Sequence, residues 1–190
     1  MSTDRILCHT SIASKLMATM KQRLEATAKS TDGPPNVVSS ASKTRLAQLI
    51  LDAINQGAQI IAGSDAQTNV PGAGFVPTIL SNVNKTSQLQ REEAFGPLVS
   101  IATFETEDEA IELANDTEYG LHAAVFTKDL RKGLAIAKRL EVGAVHINSM
   151  TVHDEPALPM GGVKGSGWGR FNAVEGMDEF LCRKAVTWDD

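Results

Sequence analysis

Apolar residues recur along the chain with two periods. From Ser11 onward Ile12, Leu16, Met20 and Leu24 repeat every four positions, one face of an amphipathic helix capped by Thr10 or Ser11. Asp4 to His9, just before it, reads as a strand. "TDGPPN" at 31–36 ends the helix, because Pro and Gly cannot continue it. A second helix carries Leu46, Leu49, Ile50, Ala53 and Ile54 on one stripe, and Gly57 stands where a left-handed terminating residue is wanted.

Beyond Gly57 the period changes. "AQIIAG" reads as a short buried strand, "SDAQTNVPGAG" as a loop, and "FVPTIL" and "LVSIATF" as strands. Between the last two lies "SNVNKTSQLQREEAFGP", a polar connection of 17 residues. Connections that long without structure are uncommon in compact domains and are often functional. Thr106 and Glu109 have the spacing of a capping box for the helix "EDEAIELAND". "HAAVFT" is a strand, "DLRKGLAIAKRL" a helix and "GAVHIN" a strand. A second long irregular stretch, "MTVHDEPALPMGGVKGSGWGR", precedes a short helix near 174–180 and a closing strand "KAVTW".

Strands that are continuously apolar and joined by helices predict an α/β fold with an open, largely parallel sheet and helices on both faces. The expected division is one domain over residues 1–181 and a terminal association strand over 182–190. Ligands bind such sheets at the carboxyl ends of strands, so the two irregular stretches are the candidate functional segments.

Composition narrows the function classes. With 18 basic and 23 acidic residues among 190, the net charge of −5 leaves no basic face for nucleic acid. No apolar run approaches the roughly 18–20 residues that span a bilayer, and Asp4 and Arg5 interrupt any secretory h-region. Two cysteines, Cys8 and Cys182, do not make a disulfide framework, so the expectation is the cytosol.

Three segments could carry chemistry. "REEAFGP" at 91–97 sets two carboxylates beside Phe95, a group suited to acid/base work or to sugar hydroxyls, or simply a solvated pair before a turn. "TVHDEP" at 151–156 places His153, Asp154 and Glu155 in a row. Successive side chains of an extended segment point in opposite directions, so no metal site is expected, and a single histidine lining a pocket fits better. "GGVKGSGWGR" at 161–170 lacks P-loop spacing and a following long helix, and reads as a surface loop needing positive φ. Cys8, inside an apolar strand, is expected to be structural, and His122 and His146 to be packed or edge residues.

Taken together, "EEAFGPLVSIATF", "ANDTEYGLHAAVFTKDL", "GAVHIN" and "PMGGVKGSGWGR" resemble the catalytic domain of the NAD(P)-dependent aldehyde dehydrogenases. "HINSMTVHDEPALP" is most similar to the vanillin, salicylaldehyde and benzaldehyde branch. The resemblance implies that Glu93 hydrogen-bonds the nicotinamide ribose, that Phe95 packs near the cofactor, and that Thr151, His153 and Met160 face the aldehyde. "KAVTW" resembles the family's subunit-association strand.

The family's nucleophilic cysteine precedes a stretch similar to "MSTDRIL", so the resemblance implies a portion that starts one residue past the nucleophile. It would also lack the general-base glutamate, the oxyanion-hole asparagine and the Rossmann half. The family's reaction needs a thiolate, a hydride acceptor and an activated water. The resemblance therefore implies no dehydrogenation, and no bound NAD or NADP, by this chain alone. Its expected partners are a second copy or a Rossmann-containing half covering an apolar surface, with a small aldehyde or apolar molecule as ligand. The alternative is a fold turned to isomerase, cyclase or binding work, with His153, Asp154, Glu155 and Glu93 as acid/base candidates.

Overall fold

The computed structural model describes residues 3–30 and 33–189. The chain forms two compact units, Ser2–Thr117 and Glu118–Asp190. In the first unit, strand β1 (Arg5–His9) leads directly into helix α1 (Thr10–Ser30), followed by α2 (Ser40–Asn55), β2 (Gln59–Ala62), β3 (Thr78–Ser81), α3 (Gln88–Arg91), β4 (Leu98–Phe104) and α4 (Glu107–Asn115). The sheet order is β1-β4-β3-β2. β4 runs parallel to both neighbours, pairing Ile6 with Ile101 and Leu80 with Ser100, and β2 is antiparallel to β3.

Alternation along the strands distributes the core over both faces of this sheet. Leu80 and Leu98 pack with Leu46, Leu49, Ile50 and Ala53 of α2, and with Phe75 and Leu89. Ile79, Ile101 and Cys8 point the other way, against Ala13, Leu16, Met17, Met20 and Leu24 of α1. Burying each large aliphatic side chain stabilises the unit by about 1.5–3 kcal/mol. The α2 stripe is the one its sequence predicts. The α1 face is rotated from expectation: Ala13 is buried while Ile12 is 54% exposed. Its start also differs, because the Ser11 N–H is taken by Nδ1 of His9, at 3.2 Å, rather than by a hydroxyl cap.

Local signals elsewhere act as the sequence suggests, with one shift. Gly57 has φ +100° and donates to the Ile54 carbonyl at 2.9 Å. Thr106 Oγ1 accepts the Glu109 N–H at 3.2 Å, but Glu109 reaches back to the N–H of Glu105, one residue before the cap. Arg5 grips the end of α4, donating to the carbonyls of Leu113, Ala114 and Asp116. The loop before β3 is organised by Gln67, fully buried, which donates to the Ser64 and Val76 carbonyls and accepts the Val76 N–H at 2.8 Å.

The second unit holds two small sheets. β5 (Tyr119–Gly120) pairs antiparallel with β8 (Val163–Lys164), and β6 (His122–Val125) pairs parallel with β7 (Ala144–Ile147) across helix α5 (Leu130–Ala137). A Cβ on Gly133 would stand 3.2 Å from Ile147, so α5 lies against that face of β7. Helix α6 (Ala173–Asp178) follows. The expected strand "KAVTW" does not form: residues 182–189 have no regular secondary structure, and Val186 and Trp188 are exposed. A ladder needs a neighbour for its N–H and C=O groups, and 184–188 find none among the described residues.

Candidate active-site segments

The 17-residue connection is not structureless. It contains α3, capped by Ser87, and Asp52 ties it to α2 by accepting the Ser87 hydroxyl at 2.7 Å and the Gln88 N–H at 2.9 Å. These bonds hold the Asp52 carboxyl below the usual range. The chain then runs through the irregular segment 92–97, bent at Glu92 and again at Gly96 and Pro97. Phe95 has φ +49°, unusual for a residue with a side chain, and its ring is 75% exposed.

Neighbours hold this segment from two sides. The Arg45 guanidinium donates to the Glu93 carbonyl at 3.3 Å and to the Ala94 carbonyl. The Asp4 carboxyl lies beside this segment, where the Ala94 backbone N–H favours its ionised form against the effect of burial. Underneath, Leu46 packs so closely on Gly96 that a Cβ there would stand 2.5 Å from it. A larger residue at this position would require the Leu46 side chain to shift. Beside it a shallow apolar groove of about 250 Å³ runs between Leu24, Ile79, Pro97 and Val99.

Burial raises the Asp4 carboxyl, and its Oδ1 has no hydrogen-bond partner among the described residues. Glu93 is half-buried, and burial followed by the charge of Asp4 pushes its carboxyl up. A carboxyl near an exposed aromatic ring on a fixed segment can accept paired hydroxyls while the ring flanks a planar group.

In the second unit, Thr151 and His153 are brought onto the β6–β7 sheet. His122 Nδ1 lies 3.0 Å from the Thr151 carbonyl, and the His153 ring stands 5.2 Å from that of His146. His153, Asp154 and Glu155 do not converge. His153 pairs with Glu155 at 3.3 Å, while Asp154 accepts from Asn172 at 2.7 Å. No cluster of three or more potential metal ligands occurs among the described residues. Met160 is half-buried and bridged to Phe171 through both backbone groups, each at 2.8 Å.

The glycine-rich stretch ties to itself and its surroundings. Lys164 pairs with Glu141 at 2.6 Å, and Arg170 donates to the Gly162 and Gly169 carbonyls. Cys8 is 4% exposed and burial raises its thiol. Arg45 and Asp4, which meet this segment, carry no motif signal, since they reach it across 49 and 90 positions of chain. The only trace of the imidazole group is that His122 and His146 fall in apolar strands and His153 in the segment that follows the second of them.

The aldehyde dehydrogenase family profile matches residues 1–186, nearly the full length described. This chain belongs to the aldehyde dehydrogenase family. It is 36% identical to vanillin dehydrogenase of Pseudomonas fluorescens over 192 residues, which is 98% of this chain and 39% of the relative. A salicylaldehyde dehydrogenase from Pseudomonas putida G7, solved with salicylaldehyde, superposes with a TM-score of 0.83 at 32% identity, over 93% of this chain and 37% of that one. Betaine aldehyde dehydrogenase of Staphylococcus aureus, solved with NAD+, gives 0.81 at 33% identity, over 94% and 37%. This aldehyde dehydrogenase-family chain thus spans about two fifths of the relatives it matches. Among its described residues no helix is long and apolar enough to cross a membrane.

Proposed function

We propose that this chain supplies the C-terminal part of an NAD(P)-dependent aldehyde dehydrogenase active site that oxidises an aromatic aldehyde to its acid. The observation that carries the reading is the segment 92–97, in which the half-buried Glu93 stands two residues from the exposed Phe95, a residue at positive φ. Glu93 would accept hydroxyls of the nicotinamide ribose, and Phe95 would flank the cofactor. When bound, NAD(P)+ supplies the hydride acceptor. Thr151, His153 and Met160 would face the aldehyde.

Neither thiol of the chain suits the nucleophilic step. Cys8 is enclosed by apolar residues and held protonated by burial. Cys182 is exposed, in a stretch without regular structure to aim it. The reaction therefore draws its nucleophile from outside these 190 residues. Exposed apolar side chains on 168–188, among them Trp168, Phe171, Phe180 and Trp188, suit a covering partner, either a Rossmann-containing half or a second copy.

The test is the purified chain incubated with NAD+ or NADP+ and vanillin or salicylaldehyde. The expected result is no sustained NAD(P)H production. Steady turnover would overturn the reading and place a working nucleophile within this sequence.

A second reading is favoured by the His153–Glu155 pair at 3.3 Å and by the raised Glu93 carboxyl. In it the chain binds or isomerises a small apolar molecule, with His153, Asp154, Glu155 and Glu93 as acid/base groups. Alanine at all four positions with activity unchanged would remove that assignment.

A further inference from the structure

The face of the β6–β7 sheet turned away from α5 carries two histidines. Register pairs His122 with Ala144 and Ala124 with His146, so both rings project from the same side, opposite Ile147 and α5. They stand 5.1 Å apart, and the His146 ring is 5.2 Å from His153 on the following segment.

The hydrogen-bond pattern fixes where the protons sit. A backbone carbonyl only accepts, so the 3.0 Å contact between His122 Nδ1 and the Thr151 oxygen requires a hydrogen on Nδ1. His146 Nε2 lies 3.3 Å from that same Nδ1. Two N–H groups cannot bond head to head, so Nε2 of His146 carries the lone pair and its own hydrogen sits on Nδ1. Nε2 of His122 is then also a lone pair, and it is buried with no hydrogen-bond partner among the described residues.

We propose that His122 and His146 are positioning residues, a chain of neutral imidazoles that holds segment 151–155 on the sheet and lets it go when His146 takes a second proton. The inference rests on the functional reading only in that 151–155 is there the aldehyde-facing segment.

A second proton has no acceptable place. On His146 it sets two N–H groups against each other. On His122 it buries an N–H without an acceptor. The charged and titratable groups around the pair are His153, its partner Glu155, and Asp154, which is engaged by Asn172. α5 with Arg131, Lys132, Lys138 and Arg139 belongs to the opposite face. Burial first, then His122 and His153, lowers the His146 pKa, in keeping with a neutral ring. A lowered folded-state value means the latch is fully present above the ordinary histidine value of about 6.5 and is lost as pH falls through the lowered one.

The test uses the whole chain labelled with 15N-histidine. Long-range 15N–1H spectra above neutral pH should show the Nδ1–H form at both His122 and His146; the Nε2–H form at His122 would overturn the proposal. Amide hydrogen exchange, corrected for intrinsic pH dependence, gives the second readout. Protection of 148–156 should fall by about tenfold or more as His146 is protonated, while α2 stays protected. Equal pH response in the two segments contradicts the latch. His146→Asn removes the ring that titrates against His122 Nδ1, so it should retain protection in acid, whereas His122→Leu should lose it at every pH. His146→Asn losing protection in parallel with the unaltered chain would also overturn the proposal. None of these readouts needs aldehyde turnover, so failure of the functional reading and failure of the latch are separable.

Discussion

Arg45 Nη1 donates to the carbonyl oxygen of Glu93 at 3.3 Å, while Nη2 of the same guanidinium reaches the carbonyl of Ala94. A residue of α2 thereby fixes the backbone that presents Glu93 and Phe95. Its ion pair with Glu92, at 3.6 Å between half-exposed side chains, adds little. Arg45→Ala should lower stability by about 1–2 kcal/mol, and Arg45→Lys should restore only part, because a single ammonium nitrogen replaces the two guanidinium nitrogens that each reach one of these carbonyls. Urea denaturation of the three chains checks the order. Equal stability for Lys and Ala would leave the fork without a role.

Two glycines with the same backbone conformation should respond differently to alanine. Gly57 has φ +100° and open space around a built Cβ, so Gly57→Ala should cost about 1–2 kcal/mol from conformation alone. Gly63 has φ +99°, but a Cβ there would meet the Pro77 carbonyl oxygen at 2.4 Å and Thr78 Cα at 2.6 Å. Gly63→Ala should cost well over that, about 3 kcal/mol or more, since the obstacle is backbone of the adjoining strand. Thermal melts of both variants decide between the two.

Much of this was legible locally. The α2 stripe, the Thr106 cap and the Gly57 terminator each involve residues within a few positions of one another. What escaped depends on distant partners. Gln67 looks like a loop residue, yet it is fully buried because Ser64, Val76 and Thr78 satisfy its amide. Lys43 is buried on α2 because the Val70 and Gly72 carbonyls accept its ammonium. His122 and His146 meet only because β6 and β7 pair in one register. "KAVTW" has strand composition, but composition supplies no neighbour. In the candidate site, the identity of Glu93 and Phe95 came from motif resemblance, whereas the Asp4 and Arg45 contacts that fix them required the fold.

The Asp52 carboxylate, held ionised by the Ser87 hydroxyl, the Gln88 N–H and Gln56, should give α3 a pH-dependent attachment. Its pKa is lowered in the folded chain, so its contribution is present above the ordinary aspartate value of about 3.9 and lost as pH falls through the lowered one. Asp52→Asn should be less stable than the unaltered chain near neutral pH, and the difference should shrink as pH falls through that lowered value. A difference constant with pH would contradict the assignment.

The two thiols should separate cleanly by reactivity. Iodoacetamide on the folded chain should modify Cys182, which is exposed, and leave Cys8, which is buried with a raised thiol pKa. Cys8 should react only in urea. Mass spectrometry of the labelled peptides reads this directly, and rapid native labelling at Cys8 would reopen it as a candidate nucleophile.

On the proposed reading, this chain carries cofactor-facing and aldehyde-facing segments, and the remainder of a dehydrogenase completes their chemistry. The most direct measurement is turnover by a chimera in which this chain replaces the matching two fifths of Pseudomonas fluorescens vanillin dehydrogenase, with and without Glu93→Gln. The account predicts NAD(P)H formation from an aromatic aldehyde, with kcat reduced about tenfold or more in the Glu93→Gln chimera while its folding is unchanged. A chimera that is folded and binds NAD(P)+ yet forms no NAD(P)H, or one whose turnover ignores Glu93→Gln, would contradict it.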